Sequence, residues 1–346
     1  MTSPYVNANI EPMRVAMLHG VGDIRVEEAP DPDVPEGYTL VRVTDVGLCG
    51  SDLHWFGEGG IGDATLTRPT VPGHEFAGVG ASGDLDGVPV AVDPAIACGR
   101  CEMCEAGHRN LCVNIQFAGH STLDGGMAEL IAWPTHLLHP LPAGMTGADG
   151  AMLEPLGVAL HAWDLAHSRV GDTIAVVGCG PIGLLTVQLA KAVGSGTVVA
   201  VEPLAHRREA AARYGADVVL DVDEAGDPDT WHRWGLGADV VLEIAGNDEA
   251  VDISVTAARP GGRVVLAGIP DGERSSFPAH VARRKGLTFA MVRRMKEMYP
   301  RTIRLVEQGL VDVRSVVTER APLDDVAGAF TRATARTGLK TVIGLA

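Results

Sequence analysis

"DTIAVVGCGPIGLLTVQLAKAVG", Asp172 to Gly194, decides the fold. It opens as a short apolar run, breaks at a glycine cluster and continues as an apolar stretch of helical length. That is a buried strand, a tight turn and a helix. Gly178, Gly180 and Gly183 have the G-x-G-x-x-G spacing in the context this motif requires. The first glycine permits the turn, the second lets the backbone approach a pyrophosphate, and the third lets helix and strand pack closely. Pro181 and Ile182 complete the loop. The helix start offers N–H groups and a partial positive charge to phosphates. Cys179 reads as a small filler. "TVVAVE" then ends in Glu202, nineteen residues beyond Gly183. An acid there accepts hydrogen bonds from ribose hydroxyls and repels a 2′-phosphate, which favours NAD over NADP. Arg207 and Arg208 in "HRR" pull toward NADP, unless they line a solvated helix face.

Working outward, "TVVAVEP", "ADVVL", "ADVVLEIAG" and "GRVVLAG" are further buried strands, separated by helical stretches such as "LAHRREAAARYG". This alternation predicts an α/β, doubly wound parallel sheet. Upstream, the chain is rich in Gly and Pro and broken into short β-type runs, including "YTLVRVTDVGLCG" and "GHEFAGVG". These predict a small barrel-like β domain. "MYPRTIRLVEQGLV", after residue 296, reads as a helix. A chain of 346 residues is too long for one ordinary core. The expected division is a catalytic domain of residues 1–155 with 297–346, and a nucleotide domain of 156–296, with the active site between them.

A net charge of −16 argues against nucleic acid and anionic membranes as partners. No run approaches the roughly 18 apolar residues of a membrane span. "MTSPYVNANIEPM" lacks the basic start and apolar stretch of a signal peptide. Four of the six cysteines, Cys98, Cys101, Cys104 and Cys112, crowd into "CGRCEMCEAGHRNLC". Four thiolates fill every tetrahedral position of Zn(II), which makes a structural zinc site with no place for substrate. An iron–sulfur cluster takes the same ligands. Thiols kept for metal rather than disulfides suit a reducing compartment, so a cytoplasmic location is expected.

Chemistry must come from elsewhere. Cys49 in "GLCGSDLHW", His74 and Glu75 in "PGHEFAG" and Glu154 in "MLEPLG" make a mixed N/S/O set of the kind catalytic zinc uses. Spacing alone makes this a modest signal. Gly47, Gly50, Gly73 and Gly78 flank the two earlier stretches and let the backbone turn closely.

"GLCGSDLH", "PGHEFAG", the four-cysteine knot and "VVGCGPIG" follow the order seen in zinc-containing medium-chain dehydrogenases, and the resemblance spans nearly the whole chain. Within that superfamily the chain looks most like the polyol branch, through "GHE", "EPL" at Glu154 and "GGIGD" at residues 59–63. The resemblance implies a GroES-like β-barrel catalytic domain beside a Rossmann domain. It implies Cys49, His74 and Glu75 as catalytic-zinc ligands, with Glu154 as a further ligand or as the residue holding the metal's water. Ser51 and His54 would relay the alcohol's proton to solvent. Arg207 would lie near the adenine, with further cofactor contacts expected at Ala267, Gly268, Ile269 and Val292. Trp55, Phe117, Arg293 or Arg294, and Glu154 would meet the substrate. The family's substrate tyrosine has no clear match, and Met295 stands in its place.

The expected activity is hydride transfer from a secondary alcohol (a polyol, sugar alcohol or cyclitol) to NAD, giving a ketone, in a homotetramer or dimer. L-threonine or a simple secondary alcohol is the same-class alternative. The rivals are a zinc-free, NADPH-using quinone-reductase-like enzyme and a non-catalytic nucleotide sensor on the same fold.

Overall fold

In the computed structural model, which describes residues 12–120, 122–270, 272 and 274–345, Thr173–Val177 lies inside a six-stranded sheet. The opening stretch read for a targeting signal falls, up to residue 11, outside the described residues. The strand order is Val218–Leu220, Thr197–Val201, Thr173–Val177, Ala238–Glu243, Ala258–Leu266, Thr288–Met291. Every pairing is parallel. Alternate residues serve opposite faces. Ile174, Val176, Val198, Ala200, Val240 and Leu242 enter one core, while Ala175, Val177, Val199, Val201 and Val241 enter another. Burial on both faces is why these strands read as unbroken apolar runs. The order reverses beside Thr173–Val177, so a crevice opens at the carboxyl end of that strand, where the glycine loop begins.

The other large sheet runs Leu138–Pro140, Pro89–Val92, Glu75–Gly80, Tyr38–Gly47, Lys340–Gly344, Val317–Pro322, with Leu130–Pro134 also paired to Tyr38–Gly47. It is antiparallel except between its two latest strands. Val41, Val43, Val46, Phe76, Trp133, Ile343 and Phe330 fill its core. A segment some three hundred residues downstream therefore sits against the strand that leads into Cys49.

Helix Leu153–Ala166 joins the two halves, packing on Pro181–Ala192 and on Tyr299–Glu307. The latter is the helix expected after residue 296. Its Tyr299 is buried, donates to the Val92 carbonyl at 2.6 Å and stacks on His139 at 4.5 Å. Among the described residues no helix is long and apolar enough to cross a membrane.

Candidate metal and nucleotide centre

Cys49 caps the start of helix Gly50–Glu58, and His74 with Glu75 opens strand Glu75–Gly80. The register Gly47↔Glu75 brings the two segments together. A Cβ at Gly47 would fall on the Glu75 carboxylate and have to displace it. Gly50, by contrast, has open space beside it. One ligand atom from each of Cys49, His74 and Glu75 lies within 4.8 Å of the others.

Asp52 organises this group. One carboxylate oxygen accepts the Cys49 N–H at 2.9 Å, and the other lies 3.5 Å from His74 Nδ1 and accepts the Gly73 N–H at 3.3 Å. Burial works to raise Asp52, but His74 and the Cys49 N–H outweigh it and bring the carboxyl below its ordinary value. Burial likewise disfavours a charged His74, yet Asp52 and the Cys49 sulfur push it well above the usual imidazole value. The donor set thus calls for a positive charge between Cys49 and His74. A zinc ion fits that demand and the soft/borderline character of the ligands. Asp52 escaped the sequence reading; its position in the first turn after Cys49, reaching back to the capping residue, was the available signal.

Lys340 is the second residue missed. It is buried at 4% exposure and paired with Glu75. Burial opposes its charge, but Glu75, Cys49 and Asp52 hold its pKa above normal. A lysine opening the apolar run "KTVIG" was the clue, since lysine is almost never fully buried unless paired.

Glu154 stands in the first turn of helix Leu153–Ala166, buried, and outside the 4.8 Å group. Burial pushes its carboxyl up to about 7, with His74 and Lys340 opposing and Glu75 adding to the rise. Ser51 Oγ lies 3.4 Å from His74 Nε2. His54 turns the other way, bonding Glu58 at 2.9 Å on the rim of the nucleotide cleft.

An aromatic and cationic wall adjoins His74. Phe117 lies 5.3 Å from the His74 ring and 4.9 Å from His120, and His120 meets Trp55 edge-on at 5.6 Å. Trp55 is buried with no hydrogen-bond partner for its indole N–H. Of the two arginines, Arg294 covers Phe117 at 4.0 Å, while Arg293 is exposed. Arg294 has φ +53°, a left-handed conformation that costs a non-glycine residue about 1–2 kcal/mol. Burial, then Arg293, pushes its guanidinium down to about 10, against the pull of Glu154. Its Nη1 is buried without a partner. His120, unremarked in the sequence, is kept neutral: burial, then His74 and Arg294, push it down to about 3. Met295 is buried, its sulfur over Gly157 of the Glu154 helix.

The four knot cysteines gather within 4.8 Å, with Cys101 Sγ 3.5 Å from Cys104 and 3.9 Å from Cys112. They are free thiols rather than disulfides. The Cys98 N–H donates to the Cys112 sulfur at 3.3 Å. The N–H of Arg100 leads in pushing Cys98 down to about 6, whereas burial pushes Cys104 up to about 12. Four sulfurs at this separation, two of them favouring the thiolate, fit a tetrahedral dication.

A cleft of about 520 Å³ lies at the glycine loop, lined by Gly178, Gly180, Pro181, Glu202 and Arg207 and, from the other half, by His54, Lys340 and Thr341. Gly178 has φ +96°, and Gly180 caps helix Pro181–Ala192. Gly183 packs against the Gly178 carbonyl, where a Cβ would clash, and Ile182 packs into the core; neither lines the cleft. Both Glu202 oxygens accept backbone N–H groups, from Cys179 at 2.8 Å and Leu204 at 3.1 Å. Arg207 borders the cleft with its Nε buried and unpartnered, whereas Arg208 bonds the carbonyls of Glu202 and Pro203. Ala267, Gly268, Ile269 and Val292 lie at the ends of the two strands beyond Ala238–Glu243, outside the cleft lining.

Two family models match the chain: "Alcohol dehydrogenase GroES-like domain" over residues 35–143 and "Zinc-binding dehydrogenase" over 181–308. Sorbitol dehydrogenase of Bacillus subtilis (strain 168) is 34% identical over 331 residues, covering 93% of each chain. L-idonate 5-dehydrogenase of Escherichia coli K-12 superposes with a TM-score of 0.90 at 27% identity, covering 96% of this chain and 98% of that one. A Sinorhizobium meliloti 1021 protein described as a zinc-binding dehydrogenase, solved bound to NADP, gives 0.88 at 31% identity, covering 97% of this chain and 100% of that one.

Proposed function

The chain belongs to the zinc-containing medium-chain alcohol dehydrogenases, in their polyol branch, and we propose that it oxidises a polyol or related secondary alcohol to the ketone with NAD, using Cys49, His74 and Glu75 as its catalytic-zinc ligands. The observation that carries this is the convergence of those three ligand atoms, beside Glu154, in a fold whose other half offers a dinucleotide cleft. When bound, zinc supplies Lewis acidity toward the alcohol oxygen and the nicotinamide accepts hydride.

The remaining work falls to the chain. Glu154, buried and outside the three-residue group, would ligate the metal as a further carboxylate or hold a proton beside it. Ser51, within 3.4 Å of His74 Nε2, orients the alcohol hydroxyl, and His54 on the cleft rim passes its proton outward. Arg294, Phe117, His120 and Trp55 line the substrate's far end, with the unpartnered donors of Arg294 and Trp55 turned to its hydroxyls. Cys98, Cys101, Cys104 and Cys112 would hold a second, structural zinc.

NAD rather than NADP is assigned on Glu202. Its carboxylate is locked by two backbone bonds beside the cleft, where a 2′-phosphate would meet its charge. We take residues 1–155 with 297–346 as the catalytic domain and 156–296 as the nucleotide domain, in a cytoplasmic homotetramer.

The test is a panel assay on zinc-replete protein, with NAD and NADP each offered against D-sorbitol, xylitol, myo-inositol, 2,3-butanediol and L-threonine. NADH formation with a polyol or cyclitol supports the reading; turnover of L-threonine alone, or silence across the panel, overturns the substrate class. Glu154→Gln is expected to cut kcat at least about a hundredfold while leaving NADH binding intact. An unchanged kcat removes Glu154 from the mechanism.

A further inference from the structure

Asn110 lies in the short turn Arg109–Leu111, inside the cysteine knot, yet its side chain reaches the substrate wall. It is 6% exposed, and its Nδ2 donates to the Arg293 carbonyl at 2.9 Å across 183 residues of sequence. The amide cannot sit the other way round, because its oxygen would then face a carbonyl that only accepts. His161 Nε2 stands on the same nitrogen at 3.5 Å. The Arg293 carbonyl belongs to the rigid peptide plane that leads into Arg294. Pinning that oxygen fixes the rotation that gives Arg294 its left-handed backbone, a conformation that persists only when its surroundings impose it. The guanidinium is thereby delivered over Phe117 at 4.0 Å. Phe117 itself follows Cys112 by five residues and is held by pairing with Ala95. One lobe thus holds both members of the pair, Phe117 by the chain and Arg294 through Asn110.

We propose that Asn110 is a positioning residue for the substrate arginine: the cysteine lobe sets substrate affinity by fixing Arg294 through the Arg293 carbonyl. This rests on the reading that Arg294 meets the substrate. Asn110→Leu keeps the side chain's shape and removes the donor. With the fastest alcohol of the panel above, it is expected to raise KM roughly tenfold while kcat changes less than about twofold. Arg294→Ala raises KM by a similar or larger factor, and adding Asn110→Leu to it has little further effect, because the two act in series. Hydrogen exchange on the zinc-replete protein gives a readout that needs no substrate. In Asn110→Leu, amides of residues 291–298 exchange faster, with two zincs per chain retained.

Additive effects in the double variant, or unchanged exchange in that segment, overturn the positioning role. A raised KM in Arg294→Ala with an unchanged KM in Asn110→Leu also overturns it, and leaves the arginine's own role standing. An unchanged KM in Arg294→Ala overturns both.

Discussion

At the scale of single residues, the protein places charge where water does not reach and balances it locally. Asp93, like Glu154, departs from that pattern. It is 9% exposed, accepts the Ala95 N–H at 3.0 Å and has no salt-bridge partner among the described residues; burial pushes it up to about 6 from an ordinary value of 3.8. The folded state therefore holds this proton more tightly than the unfolded chain does. Between the two pKa values the native state binds more protons, so Asp93's contribution to stability falls as pH rises from about 4 to about 6 and stays unfavourable above. Asp93→Asn keeps an oxygen for Ala95 and carries no charge. It is expected to stabilise the protein at pH 8 by on the order of 2 kcal/mol, with the gain vanishing near pH 4. Denaturant melts of both proteins across that range check it, and a gain independent of pH would rule out the titration.

At the scale of elements, the glycine loop separates two jobs that one motif performs. Gly183 touches the Gly178 carbonyl and has no room for a methyl group, whereas Gly180 has only an Arg207 side-chain nitrogen at 3.9 Å. Gly183→Ala is expected to lower the melting temperature and to weaken NADH binding. Gly180→Ala keeps the melting temperature but weakens NADH binding roughly tenfold, by crowding the pyrophosphate. Calorimetry with fluorescence titration distinguishes these outcomes; equal loss of stability in both would contradict the division. This element was legible because its chemistry is local: strand, turn, helix and acid follow one another within thirty residues. The grouping of Cys49 with His74 was expected from the family resemblance, since spacing alone gave only a modest signal. Lys340 left only the hint of a lysine heading an apolar run, and Asn110 and His120 left none. Each acts on a partner far away in sequence, and nothing near a residue records what a distant strand or turn will bring against it. Which of Arg293 and Arg294 lies over Phe117 was illegible for a related reason, since it goes with a positive φ at Arg294 that no local pattern announces.

For the whole molecule, two separate groups of candidate metal ligands stand out among the described residues, Cys49 with His74 and Glu75, and the four knot cysteines. Two zincs per chain are expected by metal analysis. Cys112→Ser is expected to leave one, to lower the melting temperature by roughly 5 °C or more, and to leave NADH affinity near normal, because no residue of the knot lines the cleft at the glycine loop. Retention of two zincs would mean that the remaining three sulfurs suffice.

The sheet that carries Cys49 and His74 has strand Lys340–Gly344 lodged between Tyr38–Gly47 and Val317–Pro322. On the ribosome this reverses the usual sequence of events, in which the N-terminal unit matures first. The strands of the parallel sheet, Thr173 to Met291, emerge consecutively and can close at once. The earlier half must wait, with an open flank on Tyr38–Gly47 and no counter-ion for Glu75, until some three hundred more residues have been translated. Newly made chains are therefore expected to bind nucleotide before they can carry out hydride transfer, and to be most exposed to wrong strand pairing while that flank stays open.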